Sequence, residues 1–202
     1  MPIRGAFKPG LSFAAWSVAV GAAVSLLVAA SAWAERPAYG TFTDRQRRFA
    51  VDYPTDWMWE VIAGSGEPMF IAKQPKREAA VVVERIKLKQ ALAGDEITDV
   101  FEQVELNILK ENQPQSAEVK ATIVPTASGR RFLVINYMRP GGAPDQHVRQ
   151  YSYPVGKDLY RVTCMAPDAG SFRKYESVFE TMAQSLRSAA ELGQAPADAS
   201  AR

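Results

Sequence analysis

The chain has 202 residues, 47% of them apolar and 23% charged, which suits one domain with a sizeable core and excludes a disordered polymer for most of its length. Of its 24 basic and 22 acidic residues, only Arg4 and Lys8 precede Ala34, so the remainder carries 22 of each sign and has no long-range field to steer it to nucleic acid or to an anionic membrane surface. A single cysteine, Cys164, and a single histidine, His147, exclude an internal disulfide and any site that needs two histidines or a Cys/His cluster from one chain.

The first 34 residues read as an export segment. Arg4 and Lys8 give a basic start, Pro9 to Ala34 carry no charge, and Ala32-Trp33-Ala34 is an A-x-A site followed by polar Glu35-Arg36-Pro37. The apolar stretch is also about long enough to span a bilayer, so retention as an anchor is the alternative to cleavage after Ala34. Either way the basic end stays inside and the domain goes outside, most simply into a periplasm. Membrane contact is expected only through this segment if it is kept.

After a short linker, 35–40, the elements follow in order. Arg47 to Tyr53 alternates, with Phe49, Val51 and Tyr53 on one face, and predicts a half-buried strand. Pro54-Thr55-Asp56 is a turn, and Trp57 to Ile62 reads as the next strand. Met69 to Ala72 is short and apolar, and Ala79 to Leu88 begins as a continuous run that needs cover on both faces. Asp99, with Glu102 three residues on, opens a helix whose apolar residues Val100, Phe101, Val104 and Ile108 recur at helical spacing. Asn112-Gln113-Pro114 ends it. Val119 to Val124 and Arg131 to Tyr137 are strands. A Pro/Gly loop at 140–144 leads to Val148 to Val155 and Leu159 to Ala166, read as two strands joined by a turn at Gly156-Lys157-Asp158. A closing helix is capped by Ser171, and its stripe of Tyr175, Val178, Phe179, Met182 and Leu186 faces the core. Residues 188–202 read as a disordered tail. Short connections imply antiparallel pairing, hence an α+β domain over 41–187: an antiparallel sheet covered by helices.

The pieces RRFAVDYPTDW, GRRFLVINY, HVRQYSYPVGKDLYRVTCMAP and FRKYESVFETMAQSLR, in this order from Thr41 to Arg187, resemble the PsbP-like family: the extrinsic photosystem subunit PsbP and small exported bacterial relatives. The resemblance implies an α/β/α sandwich and a binding or assembly-assisting role without enzymatic chemistry. It rests on fold markers rather than catalytic motifs.

Chemistry-bearing residues are sparse. Cys164 shares a face with Tyr160, Val162 and Ala166 and reads as inert packing. His147 beside the Pro/Gly loop has only Asp145 near it, an incomplete constellation. Asp52, Asp56 and Glu60 surround a turn but match no calcium loop. Arg45, Arg47, Arg48, Arg130 and Arg131 read as solvated strand ends. No catalytic residue, metal ligand or cofactor is assigned, and no phosphate loop, zinc spacing or nucleophile elbow occurs. The remaining lead is Trp57 and Trp59, two apart on one strand face, which mark a partner surface if that face is open. The expected function is an exported, non-enzymatic binding or assembly-assisting domain of the cell envelope with a protein partner; a carrier for a small ligand or metal ion is the alternative. The export reading predicts that N-terminal sequencing of the protein from its host begins at Glu35; an intact Met1 in a membrane fraction would replace it with an anchor.

Overall fold

The computed structural model describes residues 37–63, 67–92, 97–126, 129–140 and 145–194. The predicted export segment lies outside them. Nine strands and three helices occur among the described residues. β1 (Tyr39–Thr43), β2 (Phe49–Pro54) and the two-residue β9 (Arg187–Ser188) form a small sheet in the order β1-β2-β9. β3 (Met58–Ala63), β4 (Pro68–Lys73), β5 (Ala80–Leu92), β6 (Ala117–Pro125), β7 (Arg131–Arg139) and β8 (Gln146–Ala166) form a larger one, ordered β3-β4-β5-β8-β7-β6. Every pairing is antiparallel, as short connections require.

Helix α1 (Asp99–Asn112) covers one face of the large sheet, while α2 (Ala169–Ser185) and the small sheet share the other. The α2 side holds the larger core, built on Phe49, Phe70, Tyr160, Phe179, Met182 and Leu186. The α1 side is smaller, with Phe101, Leu109, Leu133, Ile135 and Leu159. The α+β class and the sandwich are therefore those the sequence predicts.

The closing helix packs its predicted stripe inward. Its cap is Asp168 rather than Ser171: the Asp168 carboxylate accepts the Gly170 and Ser171 N–H groups at 2.8 and 2.9 Å. Those N–H groups hold its carboxyl below the usual carboxylate range. Thr98, not Asp99, caps α1, its hydroxyl accepting the Phe101 N–H at 3.4 Å.

Three boundaries differ from the sequence reading. Tyr39 and Gly40 belong to β1 rather than to a linker. Order also continues past Arg187: Ser188 pairs with Phe49, and a short helix α3 (Ala189–Gln194) follows with Leu192 buried. Two of the arginines read as solvated ends, Arg47 and Arg130, hold this segment together with Arg187. Arg47 donates to the Leu192 carbonyl at 3.0 Å, Arg130 to the Leu186 carbonyl and to Glu191, and Arg187 to Asp52.

The third difference is the Gly156 turn, which is no hairpin. β8 runs unbroken through 21 residues; its first half pairs with β7 and its second with β5. Gly156 sits at φ 59°, in the left-handed region that favours glycine. The pleat slips by one residue there. Before it, Val148, Gln150 and Ser152 face α1; after it, Leu159 and Arg161 do. A bulge does this: it switches which parity of residues faces the core.

α1 is held from below by a buried carboxylate. Glu105, 2% exposed, accepts from the Ser152 hydroxyl at 2.9 Å, the Gln150 amide at 3.2 Å and the Arg161 guanidinium at 2.9 Å. Burial opposes the charge on Arg161, but Glu105 and Glu84 outweigh it and hold that guanidinium above its ordinary pKa. In urea melts, Phe179→Ala should cost about 3–5 kcal/mol, the range for an emptied aromatic core site. Glu105→Ala should cost about 3 kcal/mol, the low end for breaking a buried pair, because Glu84 still holds Arg161. The exposed Glu180→Ala should cost under about 0.5 kcal/mol; three equal effects would contradict this packing.

Candidate functional site

The structure separates the two tryptophans. Trp57 lies before β3 in the turn, 5% exposed, with its ring edge-on to Tyr175 of α2 at 5.8 Å. Trp59 lies within β3 and is 51% exposed. The expected pair on one face therefore reduces to Trp59 alone, because the strand starts one residue after Trp57.

Trp59 is not a stray surface residue. Its ring sits 5.8 Å from Phe42, 6.2 Å from Tyr53 and 6.1 Å from Phe70, and Phe42 stacks on Phe70 at 4.4 Å. This cluster ties β1 and β2 of the small sheet to β3 and β4 of the large one. Beside it opens a cleft of about 700 Å³, with Thr41 and Phe42 on one wall, Trp59 and Val61 on the other, and Arg45 at its rim. β1 and β3 are both edge strands, so each carries a row of backbone N–H and C=O groups that pairs with no neighbouring strand in the sheet. β3 has few of the devices that usually protect an edge. Glu60 is its one charged residue, while Met58, Trp59, Val61 and Ile62 are all exposed.

The other singled-out residues are spread apart. Cys164 is fully buried, and burial pushes its thiol well up, which leaves it unreactive in the folded state. Tyr151, on the same side of the sheet, is pushed up to about 12 by burial. His147 lies on β8 with its ring 6.3 Å from Phe172. Asp145 lies just before β8, and the imidazole helps to lower the carboxyl of the Asp168 cap. Asp52 pairs with Arg187 and accepts from the Thr41 hydroxyl at 2.7 Å, and Glu60 pairs with Lys73 across the β3–β4 ladder. Each of these two carboxylates is thus bonded to its own cation. Among the described residues no group of three or more His, Cys, Asp and Glu side chains is placed to hold a metal ion.

A second concave surface was not legible in the sequence. Of the four apolar residues expected to bury α1, only Phe101 does so, facing the sheet with Glu105 and Leu109, while Val100, Val104 and Ile108 stay exposed at 73%, 48% and 36%. These three form one wall of a trough of about 520 Å³ whose other wall is Ile86, Leu88 and Leu92 of β5. The signal was present as a second stripe, at i, i+4 and i+8, alongside the one carrying Phe101 and Leu109.

No family model and no curated protein matches the chain. Solved structures do match, and they define a class: single α+β domains with the PsbP-like fold. The cyanobacterial PsbP (CyanoP) of Synechocystis sp. PCC 6803 aligns over 77% of this chain and 95% of its own, with a TM-score of 0.54 and 14% identity. The Saccharomyces cerevisiae Ran-binding protein Mog1p aligns over 76% of this chain and 97% of its own, at TM-score 0.50 and 7% identity. At these identities the likeness is one of fold. The burial difference carries its own test: with Trp16 and Trp33 replaced by Phe, acrylamide should quench Trp59 fluorescence when Trp57→Phe is added and leave Trp57 shielded when Trp59→Phe is added instead, and equal quenching would contradict the placement.

Proposed function

We propose that this chain is a non-enzymatic binding domain that works outside the cytoplasmic membrane and presents Trp59, with the open edge of β3, to a protein partner in the cell envelope. The observation that carries this reading is a half-exposed tryptophan braced by three aromatic rings at an unprotected strand edge. A rigid aromatic buries a large area on binding at little entropic cost, which is why tryptophan dominates interface hot spots. An open edge adds main-chain hydrogen bonds to whatever extended segment docks there. Export rests on the basic start, the apolar run and the A-x-A site; absence of enzymatic chemistry rests on the lack of any catalytic motif in the sequence. That Mog1p is a Ran-binding protein and CyanoP a PsbP agrees with a fold used for association.

The alternative, a carrier for a small ligand, is favoured by one separate observation, the apolar trough beside α1. Trp59→Ala distinguishes the two. It should leave the protein folded while lowering its melting temperature by several degrees, because half of the ring packs on Phe42, Tyr53 and Phe70, and remove partners that co-purify with the parent from the envelope fraction. Retention of every partner by a folded Trp59→Ala protein would end the surface reading.

A further inference from the structure

We infer that the trough between α1 and the far half of β5 is a binding site for a straight-chain carboxylate, with its alkyl chain between the two apolar walls and its head at Lys89. It lies on the face of the large sheet opposite Trp59, so it is independent of the partner surface. It rests on the carrier reading and gives that reading a ligand class.

The shape argues first. The α1 wall, from Val100 to Ile108, spans about eight helical rises, about 12 Å. Two apolar walls, Val100, Val104 and Ile108 on α1 and Ile86, Leu88 and Leu92 on β5, line the trough along that length, so an extended alkyl chain laid between them touches both. The floor is apolar where such a chain would lie, being formed by Phe101 and Leu159.

The charges argue next. Three charged side chains line the trough: Glu105, Arg161 and Lys89. Glu105 and Arg161 neutralise each other at 2.9 Å, and Arg161 is further held by Glu84 at 3.1 Å. Lys89 is exposed and has no ion-pair partner among the described residues, whereas the neighbouring Lys87 is bound to Asp158. One uncompensated cation at the rim of an apolar trough complements one anionic head on an apolar tail. A neutral apolar ligand would leave Lys89 unused, and a cationic amphiphile would meet it as a like charge.

The site has a cost that a ligand would remove. Val100, Val104 and Ile108 leave a continuous aliphatic surface in water on a helix whose opposite side is already anchored, and covering that surface is favourable in proportion to the area buried.

The test is calorimetric titration of the delipidated full chain with lauric acid and with lauryl alcohol, together with displacement of an uncharged environment-sensitive dye. Saturable one-to-one binding of lauric acid is expected. Val104→Glu places a charge on the exposed wall without touching the core and should weaken lauric acid by more than about tenfold while leaving the thermal melt unchanged. Lys89→Glu should weaken lauric acid by about two- to fivefold, the weight of an exposed ion pair, and leave lauryl alcohol unchanged. Lauric acid binding that Val104→Glu does not weaken would overturn the site. Dye binding lost in Val104→Glu, with no effect of lauric acid, would overturn the carboxylate and keep a carrier for a neutral ligand. Failure of dye and acid alike would remove the carrier reading with it. A parent that sediments as a dimer, and as a monomer once Val104 is changed, would show the trough to be an interface between two copies and would overturn the proposal.

Discussion

A single buried carboxylate organises the α1 half of the molecule. Glu105 lies between a helix and a sheet, and its three donors come from both halves of β8: Ser152 and Gln150 before Gly156, Arg161 after it. Moving a carboxylate into a protein interior costs several kcal/mol unless a cation and further hydrogen bonds meet it. That cost fixes geometry. α1 can sit in one rotation only, the one that aims Glu105 at Arg161, and β8 can bend by one residue slip only, the one that brings Ser152 and Arg161 to the same face. A purely aliphatic helix would tolerate a turn of its stripe toward the sheet; this one cannot take that option without stranding a charge. The exposure of Val100, Val104 and Ile108 is thus a consequence of where Glu105 must go.

The bend in β8 has its own consequence for shape. Because each half of that strand pairs with a different neighbour, β8 joins two groups of strands, β3-β4-β5 on one side and β7-β6 on the other. Both groups are covered by α1 on one face and by the α2 side on the other. There the small sheet is stitched to the C-terminal segment: Tyr160 donates its hydroxyl proton to the Arg48 carbonyl and accepts the Ala189 N–H. Arg48, Glu67, Arg85 and Asp158 continue this stitching as a chain of ion pairs from the Asp44 turn to the bend. The segment after Arg187 is held by Arg47 and Arg130, which take up the Leu192 carbonyl and the Glu191 carboxylate it offers, rather than by an apolar stripe of its own.

These dependencies explain what could be read from the sequence. The α2 stripe was legible, since Val178, Phe179, Met182 and Leu186 have no apolar rival on that helix, and hydrophobic period alone fixes its face. The α1 face was not. There the more regular apolar stripe is the exposed one, and the buried one contains Glu105, a residue that hydropathy assigns to water. Only the partner 56 residues away, Arg161, makes the burial tolerable, and no local pattern announces a pairing at that distance. The Gly156-Lys157-Asp158 turn failed for the opposite reason. Its composition is that of a hairpin, but a hairpin there would require the two halves of β8 to pair with each other, and each has a longer apolar strand available in β7 or β5. Trp57 and Trp59 were legible as important and illegible as a pair, because the single-residue question of where β3 begins decides which ring faces α2.

The two concave surfaces arise separately, on opposite faces of the large sheet. On the α2 face, the small sheet stops short of covering β3, and the aromatic rings of Phe42, Tyr53 and Phe70 hold Trp59 half in and half out of the cleft. Aromatic packing makes that surface stiff, which favours recognition of a folded or extended protein segment at low entropic cost. On the α1 face, the charge pair under the helix prevents the aliphatic stripe from closing onto β5, and the gap that remains is largely apolar, with Lys89 at its rim unpaired among the described residues. Stiff aromatic surfaces and aliphatic troughs select different partners, so a domain of this size can serve one through each face without the two competing for the same residues. The sheet between them, fully buried along Val81, Val83, Leu133 and Ile135, is the shared support: a change in its core would disturb both surfaces, whereas a change at Trp59 or at Val104 reaches only its own.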